Sequence, residues 1–383
     1  MRRRAIKAML LAGAACSLLV ACAAGSAPLP PTTGGGGGRT GGSGIPQALP
    51  SPNRDPLGYR LDSVPLSSVP DGEVSALGIA TAGTQSLAGL APAQDVVRLD
   101  QARVSATETT LAARARSVAT VGSLVFAATS EPGQPGAGDV YLRRETSPGT
   151  FTWSVALDTA ADVAVVGSSG AGAVAAVGTS AGAPPRLHRY DAGSGTFAAG
   201  PSLGSVAPVA LVEWPQASGD LYVGGTDGAA PRLIRVRGAA TEVLAIPALS
   251  GGQAGVREEV TGFAWARNQV GSQVLLIATG SFDGLGRGVG GQLLVYDGAL
   301  FLSLWSSTQE AATALAITPE QQVYLGTSAG QLLYFDGATM IPEPGFPAVS
   351  RVTSLLARDG GSLLVGCRTS GGALLVVRAR KSP

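Results

Sequence analysis

Short apolar runs separated by polar, glycine-rich breaks fill most of the chain. The runs are about four to eight residues long, rich in valine, leucine and aromatic residues, and bounded by Gly, Ser, Asp or Pro. Runs of this length and composition predict β-strands. Many are apolar at successive positions, which is typical of strands covered on both faces. The pattern therefore predicts an all-β protein whose sheets are sandwiched between neighbouring sheets.

One nine-residue stretch recurs almost unchanged, as GQLLVYDGA at Gly291–Ala299 and GQLLYFDGA at Gly330–Ala338. Looser copies occur elsewhere in the chain. Aligned on their first branched apolar residue, the copies fall at Val96, Val140, Leu187, Leu233, Leu293, Leu332 and Leu374. The spacing is 39–47 residues apart from one interval of 60. A period in the low forties predicts a repeat array.

The repeated stretch is the third of four predicted strands in each unit. In the unit around Leu332, ATALAIT at 312–318 comes first and QVYLGT at 322–327 comes second. A fourth run, often aromatic, closes other units, as in LFLSLWSS at 300–307. Four short strands in about 40–50 residues is the pattern of a propeller blade. Residues 58–383 are therefore predicted to form a seven-bladed β-propeller of four-stranded antiparallel blades, with six or eight blades as alternatives.

The last unit ends after its third strand, whereas a spare strand-like segment, YRLDSVPL at 59–66, precedes the first unit. We expect this N-terminal strand to complete the last blade and close the ring, because closure removes an exposed sheet edge. The first unit is the most weakly patterned. Its segment ATETTLAARARS at 106–117 has helix-forming composition, so a short helix is the alternative there.

The amino-acid sequence of the units resembles kelch-type and related bacterial propeller repeats. LYVGGTDG ends a second strand with the paired glycines Gly224 and Gly225. HRYDAGSGTF carries Tyr190 and Asp191, followed by Phe197 where that family has a tryptophan. The resemblance implies a propeller, in agreement with the strand pattern.

The N-terminus has the pattern of a secretory signal. Four cations lie within Arg2–Lys7, and an apolar run of about 14 residues follows, which is short for a membrane-spanning helix. The segment Leu19-Val20-Ala21-Cys22 resembles the lipobox of bacterial lipoproteins. By that resemblance, residues 1–21 are a signal peptide, Cys22 carries palmitate-type lipid as a membrane anchor, and Ala23 favours the outer membrane of a bacterial cell envelope. An ordinary signal peptide with an incidental cysteine is the alternative.

Residues 22–57 show no apolar periodicity and are dominated by glycine, proline, serine and threonine. Such a segment has too little apolar surface to offset the entropy lost on ordering. We therefore interpret it as a flexible tether between the lipid anchor and the propeller.

The net charge of the chain and its few histidines and cysteines exclude several classes of function. The formal net charge is +1, and removal of the signal peptide leaves 23 basic and 26 acidic residues. Nucleic-acid binding needs clustered positive charge, so no nucleic acid is predicted as a partner. His188 is the sole histidine, and Cys367 stands alone in a predicted strand, where we expect a buried apolar role. No catalytic residues, metal site or cofactor are predicted, because zinc sites and catalytic triads need clustered ligands or partners.

A candidate ligand-binding loop lies between the second and third strands of the unit with the 60-residue interval. The predicted loop, Thr279–Gly291, carries Phe282, Asp283 and Arg287 among glycines. An aromatic residue, an acid and a base on one loop suit contact with a peptide or a sugar. A tolerated surface insertion is the alternative.

The favoured function is therefore a lipid-anchored, non-catalytic binding or scaffolding module for an envelope protein or glycan. One alternative is a glycan-active hydrolase or lyase, for which Glu258 and Glu259 are the only adjacent acidic pair in the predicted propeller. The other is an assembly factor for outer-membrane proteins, by analogy of fold.

Overall fold

The computed structural model describes residues 49, 58–80, 85–131, 133–169, 172–179, 183–214, 219–249 and 254–380. All of them belong to one compact unit, Gly44–Pro383. Cys22 and the rest of the signal and lipobox region lie outside the described residues. Within the described part of the chain, no helix combines the length and apolar character needed to cross a membrane.

The described residues form 28 strands arranged as seven four-stranded antiparallel sheets, which are the blades of a propeller. The first strands of the blades are β2 (Glu73–Ile79), β6 (Ala115–Val121), β10 (Ala164–Ser169), β14 (Ala207–Glu213), β18 (Arg257–Arg267), β22 (Ala312–Ile317) and β26 (Arg351–Ala357). The second strands are β3 (Gln85–Ala91), β7 (Leu124–Thr129), β11 (Gly172–Val177), β15 (Leu221–Thr226), β19 (Gln273–Phe282), β23 (Val323–Thr327) and β27 (Leu363–Thr369).

The third strands are β4 (Asp95–Asp100), β8 (Val140–Ser147), β12 (Arg186–Asp191), β16 (Pro231–Arg237), β20 (Gly288–Tyr296), β24 (Leu332–Phe335) and β28 (Gly372–Arg380). The fourth strands are β5 (Arg103–Thr110), β9 (Thr150–Leu157), β13 (Thr196–Ser202), β17 (Ala240–Leu244), β21 (Phe301–Ser307), β25 (Met340–Pro342) and β1 (Tyr59–Pro65). Blades 1 to 7 are numbered here by their first strands, so blade 1 begins with β2 and blade 7 with β26. All seven aligned positions of the sequence repeat lie in third strands, as predicted.

The ring is closed by the N-terminal strand. β1 pairs antiparallel with β28 along its whole length, from Tyr59 opposite Arg380 to Pro65 opposite Leu374. This pairing makes β1 the fourth strand of blade 7. The first strands of neighbouring blades contact one another all around the ring, including β26 of blade 7 with β2 of blade 1. The predicted clasp is therefore confirmed.

Close approach of neighbouring blades explains glycine in the second strands. A Cβ atom added to Gly224 in β15 would lie 2.4 Å from Cγ1 of Val260 in the next blade. At Gly326 in β23, the corresponding distance to Cγ1 of Val352 would be 2.3 Å. A larger residue would force these blades apart, because protein interiors leave little space between packed side chains. Gly224 and Gly326 therefore set how closely these blades pack.

A β-bulge interrupts six of the seven first strands near their N-terminal ends. A bulge inserts one residue that has no partner on the neighbouring strand and re-aims its side chain. The inserted residues are Ser75, Arg116, Val209, Thr261, Thr313 and Thr353. All of them except Val209 line the cavity described below.

The helix alternative for 106–117 and the predicted length of the loop at Thr279–Gly291 are both wrong. Residues 106–117 form no helix but contribute to β5 and β6, because Leu111, Ala113 and Ala115 are buried at every second position, which is the period of a strand. The loop predicted at Thr279–Gly291 is shorter, because pairing continues to Phe282 opposite Gly288. Only residues 283–287 connect β19 to β20.

Buried polar contacts also join blades 1 and 2. The Glu108 carboxylate on β5 accepts hydrogen bonds from Arg143 Nε and Nη2 on β8, at 2.7 and 2.5 Å. Trp153 Nε1 donates a third hydrogen bond to it at 3.1 Å. The Arg143 guanidinium lies 3.4 Å from the centre of the Phe151 ring. Both charged side chains are at most 4% exposed, so this ion pair is part of the interior.

Leu49, inside the predicted tether, is 2% exposed and packs in the apolar cluster of blades 5 and 6. That cluster includes Leu276, Leu293 and Leu325. Burial of a leucine side chain contributes about 1.5–3 kcal/mol. The described part of the tether region therefore contacts the propeller core at this residue.

Candidate functional site

A cavity of about 610 Å³ opens where the first strands of the blades begin. It is lined by the starts of the first strands of blades 1, 2, 5, 6 and 7, and by loops that connect second to third strands. We call this region the channel mouth. Its volume is within the range of about 300–1,000 Å³ that ligand-binding cavities occupy.

The bulges arrange the lining of the channel mouth in two tiers. The deeper tier contains the inserted residues Ser75, Arg116, Thr261, Thr313 and Thr353. The outer tier contains residues two positions earlier in the same chain segments. These outer residues include Glu73, Arg114, Glu259 and Arg351. The deeper tier is therefore rich in hydroxyl groups and the outer tier in charges.

Arg114 and Arg257 pair with three of the four carboxylates that line the channel mouth. Arg114 Nη1 lies 3.3 Å from Oε1 of Glu73, and its Nε lies 3.7 Å from Oε2 of Glu131. Arg257 Nε lies 3.4 Å from Oε2 of Glu259. Each of these pairs joins residues near the entrance, where charged contacts are weakened by solvent.

Arg368 on β27 pairs with the fourth carboxylate, Asp71. Its Nη2 lies 3.3 Å from Oδ1 of Asp71. The four carboxylates that line the channel mouth thus each have an arginine partner.

Arg116 and Arg351 have no such partner. The side chain of neither forms an ion pair or a hydrogen bond with any residue that the structure describes. Burial lowers the pKa of both guanidiniums, and nearby arginines lower it further, whereas Glu259 and Glu73 oppose the shift. Both side chains retain some accessible surface in the open channel. Arginine remains protonated in proteins, so the five arginines and four carboxylates that line the channel mouth leave a net charge of +1, and Arg116 and Arg351 are the two arginines that contact no carboxylate.

Two hydroxyl groups of the deeper tier are also unsatisfied. Thr313 Oγ1 donates to the carbonyl oxygen of Val352 at 2.6 Å, and Thr353 Oγ1 donates to that of Val74 at 2.7 Å, so these threonines link adjacent blades. Ser75 Oγ and Thr261 Oγ1 are buried without a hydrogen-bond partner. A buried polar atom without a partner costs about 1–3 kcal/mol, and both residues line the cavity, so rotation of either side chain toward it would let the hydroxyl bond a ligand or water.

The three predicted loop residues occupy different environments. Phe282 is 3% exposed and lines the cavity, with the guanidinium carbons of Arg351 and Arg257 lying 5.5 and 6.0 Å from its ring centre. Asp283 and Arg287 contact each other, with Arg287 Nε donating to Asp283 Oδ2 at 2.7 Å. That hydrogen bond is the main cause of the lowered pKa of the Asp283 carboxyl.

The same loop presents an apolar residue to solvent. Asp283 Oδ1 accepts hydrogen bonds at 2.9 Å from the backbone nitrogens of Leu285 and Arg287, which shapes the turn. Leu285 at its tip is 79% exposed and lines the edge of the cavity. A ligand-binding role for Phe282, Asp283 and Arg287 stays a prediction, and the structure places them directly beside the channel mouth.

The other residues singled out from the sequence lie in strands. His188 is half-buried in β12, and burial lowers the pKa of its imidazole. Cys367 is fully buried in β27, as expected, and burial raises the pKa of its thiol to about 12. Glu258 and Glu259 point to different surroundings, because Glu258 accepts a hydrogen bond from the Leu249 nitrogen whereas Glu259 lines the cavity.

Sequence reasoning missed Arg114, Arg116 and Arg351. Comparison of the units at their first strands contains the signal, since the segments at 73–75, 114–116, 259–261 and 351–353 each place a charged residue two positions before the inserted one. The helix alternative for 106–117 obscured the second of these segments.

Comparison with known proteins supports the fold. No protein-family model matches the chain. No curated protein matches it either. Solved structures do match, and those described next are 12–16% identical to this chain.

A structure described as YCF48 bound to D1 peptide matches with a TM-score of 0.56 and 16% identity, covering 89% of this chain and all of that one. The propeller domain of Cps50 (Swd1) from Myceliophteria thermophila matches with a TM-score of 0.55 and 12% identity, covering 84% of this chain and 100% of that one. The extracellular domain of a protein described as a one-component system from B. thetaiotaomicron has the same TM-score and identity. The match covers 83% of this chain and only 40% of that longer one. The strand topology shows that the protein is a seven-bladed β-propeller, and these similarities agree with a propeller fold.

Proposed function

We propose that the protein is a non-catalytic, protein-binding propeller of the bacterial cell envelope, held at the membrane by lipid on Cys22. The partner docks on the channel mouth. The observation that carries the proposal is the open cavity of about 610 Å³, with its charged lining and its exposed apolar edge at Leu285. Protein contacts combine charged groups with apolar side chains that become buried on binding.

The solved structures support this proposal by analogy of fold. One of the matching propellers is described with a bound peptide, and another is an extracellular domain of a bacterial protein. The lipobox at Leu19–Cys22 and the segment at 22–57 supply the anchor and the connection to the propeller.

The charge arrangement favours protein binding over the glycan-active alternative. Glycoside hydrolysis uses two carboxyl groups on either side of the scissile bond. At the channel mouth, Glu73 and Glu259 instead contact Arg114 and Arg257. Arginine–carboxylate pairs suit a charged contact surface that selects its partner.

Site-specific photocrosslinking in living cells tests the docking face. A photoreactive amino acid replaces Leu285 at the channel mouth or, as a matched control, Val243 on the outer strand of blade 4, which is 61% exposed. We expect a discrete protein adduct from position 285 and none from position 243. The partner is identified by mass spectrometry and then bound to the purified propeller. Equal crosslinking at both positions, or at neither, would contradict the proposal.

A second experiment tests the anchor. Cells are fed an alkyne analogue of palmitate, and the protein is examined for incorporation. We expect labelling of the wild type and complete loss in Cys22→Ser, with the control Cys16→Ser still labelled. Unlabelled wild-type protein would remove the lipid anchor from the proposal and leave the docking face to be judged by crosslinking.

A further inference from the structure

We propose that the channel mouth seats a carboxylate of the partner between Arg116 and Arg351, so that the docking segment of the partner is acidic. The identity of the ligand as a protein segment rests on the proposed function above. The chemistry of the seat rests on the charges and the hydrogen-bonding groups of the channel mouth.

The first argument is the balance of charge. Arg114, Arg257 and Arg368 contact all four carboxylates that line the cavity. The lining therefore holds five arginines against four carboxylates, and the excess charge of +1 lies at Arg116 and Arg351, which contact no carboxylate in a region where burial disfavours charge. A buried charge without a counterion is costly, so an anionic group entering this space gains more than it would at an exposed surface.

The second argument is the pair of unsatisfied hydroxyl groups. Ser75 and Thr261 are bulge residues in blades 1 and 5, and their buried oxygens have no hydrogen-bond partner. Thr313 and Thr353, at the same place in blades 6 and 7, use their hydroxyls to link neighbouring blades. Both residues line the cavity, so rotation of either side chain toward it lets the hydroxyl donate to a carboxylate oxygen beside the two guanidiniums.

The third argument is how the arginines are held. Arg116 is the inserted residue of a bulge, so the direction of its side chain is not set by the pairing of β6 with β7. Arg351 is steadied by the ring of Phe282, whose centre lies 5.5 Å from its guanidinium carbon. A guanidinium held in place presents a planar fork of N–H donors that matches a carboxylate.

A carboxylate fits this seat better than a phosphate group does. Glu73 and Glu259 face the same space and act electrostatically on both arginines. A phosphate carries about −1.5 to −2 charge at neutral pH and is repelled more strongly by adjacent carboxylates. One singly charged carboxylate needs less positive charge to balance it. Leu285 at the edge of the cavity provides an apolar contact for a residue next to the acid.

Calorimetric titration of the purified protein with defined probes tests the seat. The probes are the blocked peptide ELEELE, its uncharged counterpart QLQQLQ, and inorganic phosphate. The variants are Arg116→Gln and Arg351→Gln, and the control is Arg103→Gln on the exposed outer strand of blade 1. We expect ELEELE to bind at least tenfold more tightly than QLQQLQ. Each variant at the channel mouth should weaken ELEELE binding at least tenfold, and Arg103→Gln should change it less than twofold.

Thermal stability separates loss of the seat from loss of the fold. The Arg116 side chain forms no ion pair or hydrogen bond with described residues, and burial outweighs the attraction of Glu259 and Glu73, so Arg116→Gln should keep or raise the melting temperature. A lower melting temperature in this variant would indicate a structural arginine and overturn the argument from charge.

The titrations distinguish failure of this inference from failure of the proposed function. Binding of ELEELE that persists in both channel-mouth variants would overturn the carboxylate seat and leave a protein-binding face in place. Phosphate binding that requires Arg116, without any binding of ELEELE, would overturn the assignment to an acidic segment. Absence of binding by every probe would overturn the seat, and the crosslinking experiment would then decide the proposed function alone.

Discussion

Glu108→Ala should destabilise the propeller strongly, because it leaves Arg143 charged and buried without its partner. The substitution removes the acceptor of two hydrogen bonds from Arg143 and one from Trp153. Arg143 is 2% exposed, so water cannot readily replace the carboxylate. Removal of one partner of a buried ion pair costs about 3–5 kcal/mol.

The expected change in melting temperature follows from the size of the propeller. An unfolding entropy of about 2.1 cal/mol/K per residue gives about 0.7 kcal/mol/K for a domain of this length. The melting temperature of Glu108→Ala should therefore fall by about 4–7 °C in differential scanning calorimetry. The matched control is Glu242→Ala, which removes the partner of Arg235 at a position where the carboxylate side chain is 53% exposed. That change should cost about 0–1 kcal/mol.

A second substitution distinguishes an orphaned charge from simple loss of contacts. Combining Glu108→Ala with Arg143→Met removes both charges and keeps an apolar side chain against Phe151. At least half of the lost stability should return, because Arg143, the most buried partner, no longer carries an unpaired charge; Arg98, 18% exposed and 3.8 Å from Glu108, loses its carboxylate in both variants alike. The reasoning is refuted by a loss in Glu108→Ala no larger than that in Glu242→Ala, or by a double variant less stable than Glu108→Ala.

Three further predictions follow from the fold. Deletion of residues 59–65 should lower the melting temperature more than any single substitution described here, because it removes the fourth strand of blade 7 and exposes the edge of β28. A melting temperature within about 2 °C of the wild type would contradict the role of the clasp. Leu49→Ala should cost about 2–5 kcal/mol in urea unfolding, as for other buried leucines, and a cost under about 0.5 kcal/mol would show that this contact adds nothing. The Cys367 thiol, with its pKa raised to about 12, should react with a maleimide only after denaturation, so labelling of the peptide that contains it in native protein at pH 8, seen by mass spectrometry, would contradict its burial.

The propeller could be predicted from the sequence because its units repeat a local pattern. The apolar runs around Leu293 and Leu332 lie in third strands at equivalent places, and their flanking glycines and aspartates form the turns. The clasp was predictable for a different reason. The last unit lacked a fourth strand, and the strand-like segment at 59–66 belonged to no unit. Both arguments need only strand periodicity and the cost of an exposed edge.

The channel mouth could not be predicted in the same way, because it depends on distances between blades. Arg116 and Arg351 are 235 positions apart in the chain, and only ring closure brings their blades to the same cavity. Their lack of a partner depends in turn on which arginines contact Glu73, Glu131 and Glu259. The predicted loop lies beside the channel mouth and exposes Arg287 as predicted, yet the sequence reasoning did not single out Leu285, its exposed apolar residue.

The bulges have a consequence for engineering. An inserted residue such as Thr261 takes no part in strand pairing, so its identity is largely decoupled from the demands of blade assembly. Exchanging the side chains at these sites one by one offers a way to reprogram which molecules enter the pore while the surrounding architecture is retained. Ser75, Arg116 and Thr261 are the adjustable positions suited to a combinatorial library, because Thr313 and Thr353 link adjacent blades through their hydroxyls and Val209 does not line the cavity.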